Sequence, residues 1–93
     1  MDVRTNFYIG GRWLAPQGQG SIEVFRPADG ARLATIPEGN AADAEAAVAA
    51  ARAAFPQWAA TPAAERAALL KRIQEALKAR SDEIAATISA EMG

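Results

Sequence analysis

Ile36-Pro37-Glu38-Gly39-Asn40-Ala41-Ala42-Asp43 is the stretch on which the fold turns. Pro37 cannot donate to a strand ladder and stops whatever extended segment precedes it. Asn40 offers a side-chain oxygen to the orphan amides of a helix start. Asp43, three residues on, can accept from the same amides and suits the positive end of the helix. Most of the glycines lie before Asn40, and most of the alanine and of the charge after it. The chain therefore reads as one unit, 1–93, with strands and turns over 1–37 and helices over 40–93.

Upstream, Phe7-Tyr8-Ile9 and Arg12-Trp13-Leu14 flank Gly10-Gly11. Two glycines supply the positive φ angles of a tight turn whose twist matches a hairpin, so a β-hairpin is predicted. Gln17-Gly18-Gln19-Gly20 reads as a surface loop. From Ser21 to Arg26, Ile22 and Val24 alternate with Glu23 and Phe25, the period of a strand. Pro27-Ala28-Asp29-Gly30 is a turn, and Arg32 to Ile36 a second short strand.

Downstream, Ala44, Ala47, Val48, Ala51 and Phe55 recur at helical spacing, which predicts a helix over 41–55 ended by Pro56. Trp58 is expected to close the end of this helix against the next. Thr61 is expected to cap a second helix over 62–80, with Pro62 at its first position. Leu69, Leu70, Ile73, Ala76 and Leu77 form its apolar face, closed by the charge of Arg80. Arg66, Lys71, Arg72, Glu75 and Lys78 form its solvated face, with Glu75 and Lys78 spaced for an i, i+3 ion pair. Ser81-Asp82-Glu83 starts a third helix over 82–92, with Ile84, Ile88 and Met92 along one side.

Composition limits what such a chain can do. Of the 93 residues 25 are Ala, and 17, about 18%, are Leu, Ile, Val or Phe, under the roughly 20% at which a core becomes hard to build. The net charge of −1 removes the self-repulsion that would keep the chain disordered. A thin core that leans on other protein surface is the expectation, with Leu69, Leu70, Ile73, Leu77, Ile84 and Ile88 only partly covered. The 10 basic and 11 acidic residues are interleaved, which argues against nucleic acid. No apolar run has the length of a membrane span. The first residues show no basic stretch leading into an apolar one, so a cytoplasmic location is expected.

The chain has no Cys and no His. Disulfides, thiolate catalysis and Cys-ligated zinc are excluded, and the commonest neutral-pH general base is missing. Gly18-Gln19-Gly20 lacks the third glycine of a dinucleotide-binding turn and precedes a strand, where the phosphate cradle must follow one and open a helix. Asp82 and Glu83 are adjacent on a helix and diverge; they read as compensation of the helix start. Ser21, Ser81 and Ser89 have no base to activate them. Lys71 and Lys78 sit on a solvated face. Phe7, Tyr8 and Trp13 read as a packed hairpin rather than a stacking platform. No catalytic, cofactor-binding or metal-binding residue is assigned.

Several units in fixed order nevertheless carry a resemblance: Phe7-Tyr8-Ile9-Gly10-Gly11-Arg12-Trp13, Val24-Phe25-Arg26-Pro27-Ala28-Asp29-Gly30, Ile36-Pro37-Glu38-Gly39, Ala47-Val48 through Ala51-Arg52-Ala53-Ala54-Phe55 and Trp58, Glu65-Arg66 with Leu69-Leu70, and Glu91-Met92-Gly93. Over residues 7 to 93 the chain resembles the N-terminal segment of the aldehyde dehydrogenase superfamily. It departs at Gly10, where the family often has Asn, and at Arg26, where Asn commonly precedes the Pro.

The resemblance implies an α/β fold with a Rossmann-type cofactor domain, of which 1–93 would form an outer N-terminal part. It also implies oxidation of an aldehyde to a carboxylic acid with NAD or NADP in a longer, oligomeric protein, a dimer or tetramer. In that family a cysteine thiolate attacks the aldehyde, hydride passes to the nicotinamide, and a glutamate activates water. Those residues and the cofactor's glycine motif lie beyond the point matching Gly93, so neither NAD nor NADP is expected to bind this segment alone. Some members hold a monovalent cation partly through carbonyls matching Val24 and Phe25; an acceptor in a strand ladder is the competing role for those carbonyls. The expected partner is the remainder of such a chain, or a second copy. The rival reading is a stand-alone interaction module working through Leu69, Leu70, Ile73 and Leu77.

Overall fold

The computed structural model describes residues 2–93. Five short strands precede three helices: β1 (Asp2–Val3), β2 (Phe7–Ile9), β3 (Arg12–Leu14), β4 (Ser21–Phe25), β5 (Arg32–Pro37), α1 (Ala41–Ala60), α2 (Ala63–Ala79) and α3 (Ser81–Met92).

β2 and β3 pair antiparallel with Tyr8 opposite Trp13. Gly10 and Gly11 stand at φ 62° and 78°, the two positive angles that a twist-matched two-residue turn demands. The hairpin sits on α1 where both surfaces are small: a Cβ built on Gly10 would lie 3.7 Å from that of Ala50. β4 and β5 pair antiparallel, with Ile22 opposite Ile36, Val24 opposite Ala34 and a register shift between Val24 and Phe25. Glu23 and Arg32 form a 3.0 Å ion pair across this ladder. The connecting turn closes through Gly30 N–H to the Arg26 carbonyl (2.8 Å) and Ala31 N–H to Asp29 Oδ1 (3.0 Å).

Pairing of β1 with β5 is parallel, Asp2 opposite Ala34 and Val3 opposite Thr35. This strand was not anticipated, because two residues carry no periodicity and a parallel partner lies far along the chain.

Several expectations about the helices are corrected. α1 does not stop at Pro56 but runs through it to Ala60. Proline suits helical φ, and the bond it removes belongs to the Arg52 carbonyl on an exposed stretch where water can replace it. Thr61 is not the cap of α2 but the end of α1: its hydroxyl donates to the Gln57 carbonyl at 2.8 Å and its N–H to that of Trp58. Pro62 takes the cap position of α2 with no side-chain bond. Trp58 keeps 44% of its surface exposed and so does not seal α1 against α2. Nor is Glu75–Lys78 an ion pair among the described residues; the exposed i, i+3 helix pair is Arg80–Glu83, at 2.7 Å. Arg80 ends α2 and opens α3 with no linker between them.

No hydrophobic residue is fully buried among those described. The Cα radius of gyration is 16.9 Å, against about 12 Å for a compact domain of this length. The accessible surface is 7426 Å², where a compact monomer of this mass shows about 5,100 Å². Half-covered apolar side chains gather on the strand side, at Phe7, Ile9, Leu14, Val24 and Leu33. Leu70, Ile73, Leu77 and Ile88 stand 55–61% exposed.

Candidate functional site

The polar groups that converge most closely do so at the start of α1. Asn40 and Asp43 form a reciprocal capping box: Asp43 N–H donates to Asn40 Oδ1 and Asn40 N–H to Asp43 Oδ2, each at 3.0 Å. Asp43 does more than cap, since its Oδ1 also accepts from Gln17 N–H at 2.8 Å and its Oδ2 from Gly18 N–H at 3.0 Å. Asp43 is the one buried residue among those described, 8% exposed. The Gln17, Gly18 and Asn40 amides, in that order of effect, hold its carboxyl below the usual aspartate range, against a smaller opposing effect of burial. The sign follows. Folding favours the anion, so these contacts add stability that is complete above the ordinary carboxylate range and is lost as pH falls through the depressed value.

The approach of the loop is tight. A Cβ on Gly18 would lie 2.5 Å from the Glu38 carbonyl oxygen and 3.3 Å from the Asn40 nitrogen, both backbone. Beside this junction a shallow groove runs between the hairpin and α1, bounded by Phe7, Ile9, Asn40, Asp43, Ala44 and Ala47. Of its lining residues, Asn40 and Asp43 are already bonded to each other.

The other residues weighed from sequence do not converge. Gly18 and Gly20 belong to the clamped loop, not to a cradle that opens a helix. Glu83 is held below the usual range by its hydrogen bonds to Arg80, at 3.0 and 2.7 Å, and by that residue's charge. Asp82 shares the first turn of α3 with it. Ser21 begins β4, while Ser81 and Ser89 lie on α3. Lys71 and Lys78 are exposed on α2. Tyr8 and Trp13 pack on each other, ring centres 5.1 Å apart and tilted 52°, but at 63% and 65% exposure they are not part of a packed interior. Phe7, on the alternate face of β2, is half-covered. Val24 and Phe25 flank the register shift, where Leu33 of β5 is the extra residue. Among the described residues no group of three potential ligands could hold a metal ion, and no helix is long and apolar enough to cross a membrane.

The capping box was visible in Asn40 and Asp43, but the engagement of Gln17 and Gly18 was not, because nothing local marks a partner 25 residues away. The signal that could have suggested it is the pair of glycines beside Gln17 and Gln19, a loop built for close backbone approach.

Comparison with known proteins supplies what the isolated site does not. The sequence profile of the Aldehyde dehydrogenase family matches residues 13–93. A lactaldehyde dehydrogenase from Escherichia coli (strain K12) is 41% identical over 91 residues, covering 98% of this chain and 19% of that protein. A malonate-semialdehyde dehydrogenase from Bacillus pumilus (strain SAFR-032) is 37% identical over 86 residues, 92% of this chain and 18% of its own length. The chain thus spans under a fifth of these relatives. The crystal structure of an aldehyde dehydrogenase from Bartonella henselae superposes with a TM-score of 0.92 at 34% identity, over 97% of this chain and 19% of that one. One from Mycobacterium tuberculosis, complexed with NAD+, gives 0.89 at 40% identity, over 96% and 19%.

Proposed function

Because the chain belongs to the aldehyde dehydrogenase family, we propose that it works as the outer N-terminal part of a longer enzyme that oxidises an aldehyde to its carboxylic acid with NAD+ or NADP+. The observation that carries this reading is the near-complete superposition of strands, clamped loop and helices on a member of that family, at an identity well above what fold alone requires.

Within the enzyme these residues act as scaffold. Family chemistry needs a thiolate, and the chain contains no cysteine and no histidine. The dinucleotide does not fit here either. At the start of α1 the Asn40 amide already donates to the Asp43 carboxylate and the Asp43 amide to Asn40 Oδ1, and Gly18, in the one glycine-x-glycine loop, donates to that same carboxylate. The open apolar faces of α2 and α3 support the same assignment, since they are complete only when other protein surface lies on them. We assign that cover to the remainder of the enzyme.

The test is to isolate the native protein with an antibody raised against this segment and to measure its intact mass and its aldehyde-dependent reduction of NAD+ and NADP+. A polypeptide far above 9.7 kDa that reduces either cofactor is expected. A native species of 9.7 kDa that leaves both unreduced would overturn the reading.

A further inference from the structure

A carboxylate, not an apolar side chain, occupies the most enclosed position among the described residues. Asp43 and its reciprocal partner Asn40 join the loop before β4 to the linker and first turn of α1, which lie some 25 positions later in the sequence. The loop is held from both sides. Its amides face Asp43, and Gly18 lies so close to the Glu38 and Asn40 backbone that only a residue without Cβ fits undisturbed. Glu38 N–H in turn donates to the Gly20 carbonyl at 2.9 Å, which ties the far end of the loop to the same linker. No buried apolar side chain stands behind this junction among the described residues.

We propose that Asp43 is a clasp that makes the loop over residues 17–20 and the first turn of α1 a single conformational unit, opening and closing together, while α2 and α3 open independently of it. Local opening proceeds in contiguous blocks set by shared contacts. Here the shared contact is one side chain that accepts backbone N–H bonds at both of its oxygens. The proposal does not depend on the enzymatic reading, since it rests on geometry within the chain.

Hydrogen exchange of individual amides in the intact native protein tests it. In the unaltered protein the Gln17, Gly18 and Asn40 amides should show one common degree of protection, a measurement that needs no variant. In Asp43→Asn, which keeps the shape and loses the charge, protection at Gln17 and Gly18 should fall together, by roughly tenfold or more, as the loss of hydrogen bonds to a charged acceptor implies. Amides within α2 and α3 should not change. Asn40→Ala removes the cap bond to Asp43 N–H, and protection at Gln17 and Gly18 should fall together with that of the first turn of α1, by less than in Asp43→Asn. Unprotected Gln17 and Gly18 in the unaltered protein overturn the clasp. So does Asp43→Asn exchange that is unchanged, or that rises equally across α2 and α3.

Discussion

The strand half and the helical half of this chain satisfy their backbones in different ways. From Asp2 to Pro37 the bonds run between strands: β1 to β5, β4 to β5 and β2 to β3. From Ala41 to Met92 each helix satisfies its own backbone, and its apolar face is left open. Helices that close locally do not need one another to exist as helices, but they need cover to contribute stability, because most helical stability in proteins comes from packing of that face. The strand half is therefore closer to self-sufficient, and the helical half is the part that looks outward.

The sharpest way to break that contrast is to produce the 93-residue chain alone and size it. Association is expected, and Leu70→Gln with Ile73→Gln should shift it strongly toward monomer with little loss of helix signal. A chain that stays monomeric and melts cooperatively at a midpoint independent of concentration would remove the distinction. Next in size is Gly18→Ala. The new methyl meets backbone rather than a movable side chain, so overpacking should cost about 1–3 kcal/mol in denaturant unfolding of the intact protein, whereas Gly30→Ala, with nothing within 4 Å, should cost only the strain of its positive φ. The smallest effect is expected from Gly10→Asn. Asn tolerates φ 62°, its Cβ would make ordinary contact with Ala50, and an unfolded chain with less freedom should leave stability unchanged or raised by about 0.4–1 kcal/mol. A clear loss would show that the hairpin seat on α1 is tighter than the geometry indicates.

What was legible in the sequence was what is decided locally. Gly10-Gly11 specified the hairpin because two adjacent positive φ angles have few other uses, and Asn40 with Asp43 specified the start of α1 from within four residues. Alternation at Ile22 and Val24 placed β4. The misreadings came from weighing a local rule without its surroundings. Pro56 breaks helices whose freed carbonyl cannot find a donor, but in an exposed helix water supplies one. Thr61 suits either end of a helix, and here its hydroxyl bonds the Gln57 carbonyl at the end of α1. β1 and the anchoring of Gln17 and Gly18 were illegible because each joins residues 25 or more positions apart. The candidate site shared that limit: one half of it was visible as a cap, and the other half read as a loop.

The distance between Gln17 and Asp43 also has a consequence in time. A chain grows from its N-terminus at about 5–20 residues per second, so the loop emerges about 1–5 s before the carboxylate that receives its amides. The hairpin, with a two-residue turn, can form on microsecond scales as soon as Leu14 is free. β1 must wait for β5, whose paired residues Ala34 and Thr35 follow it by about thirty positions. During synthesis the hairpin would therefore stand as an isolated element between two unpaired flanks, and closure of the Asp43 bonds would be the first event to bring the early residues into register with the helices.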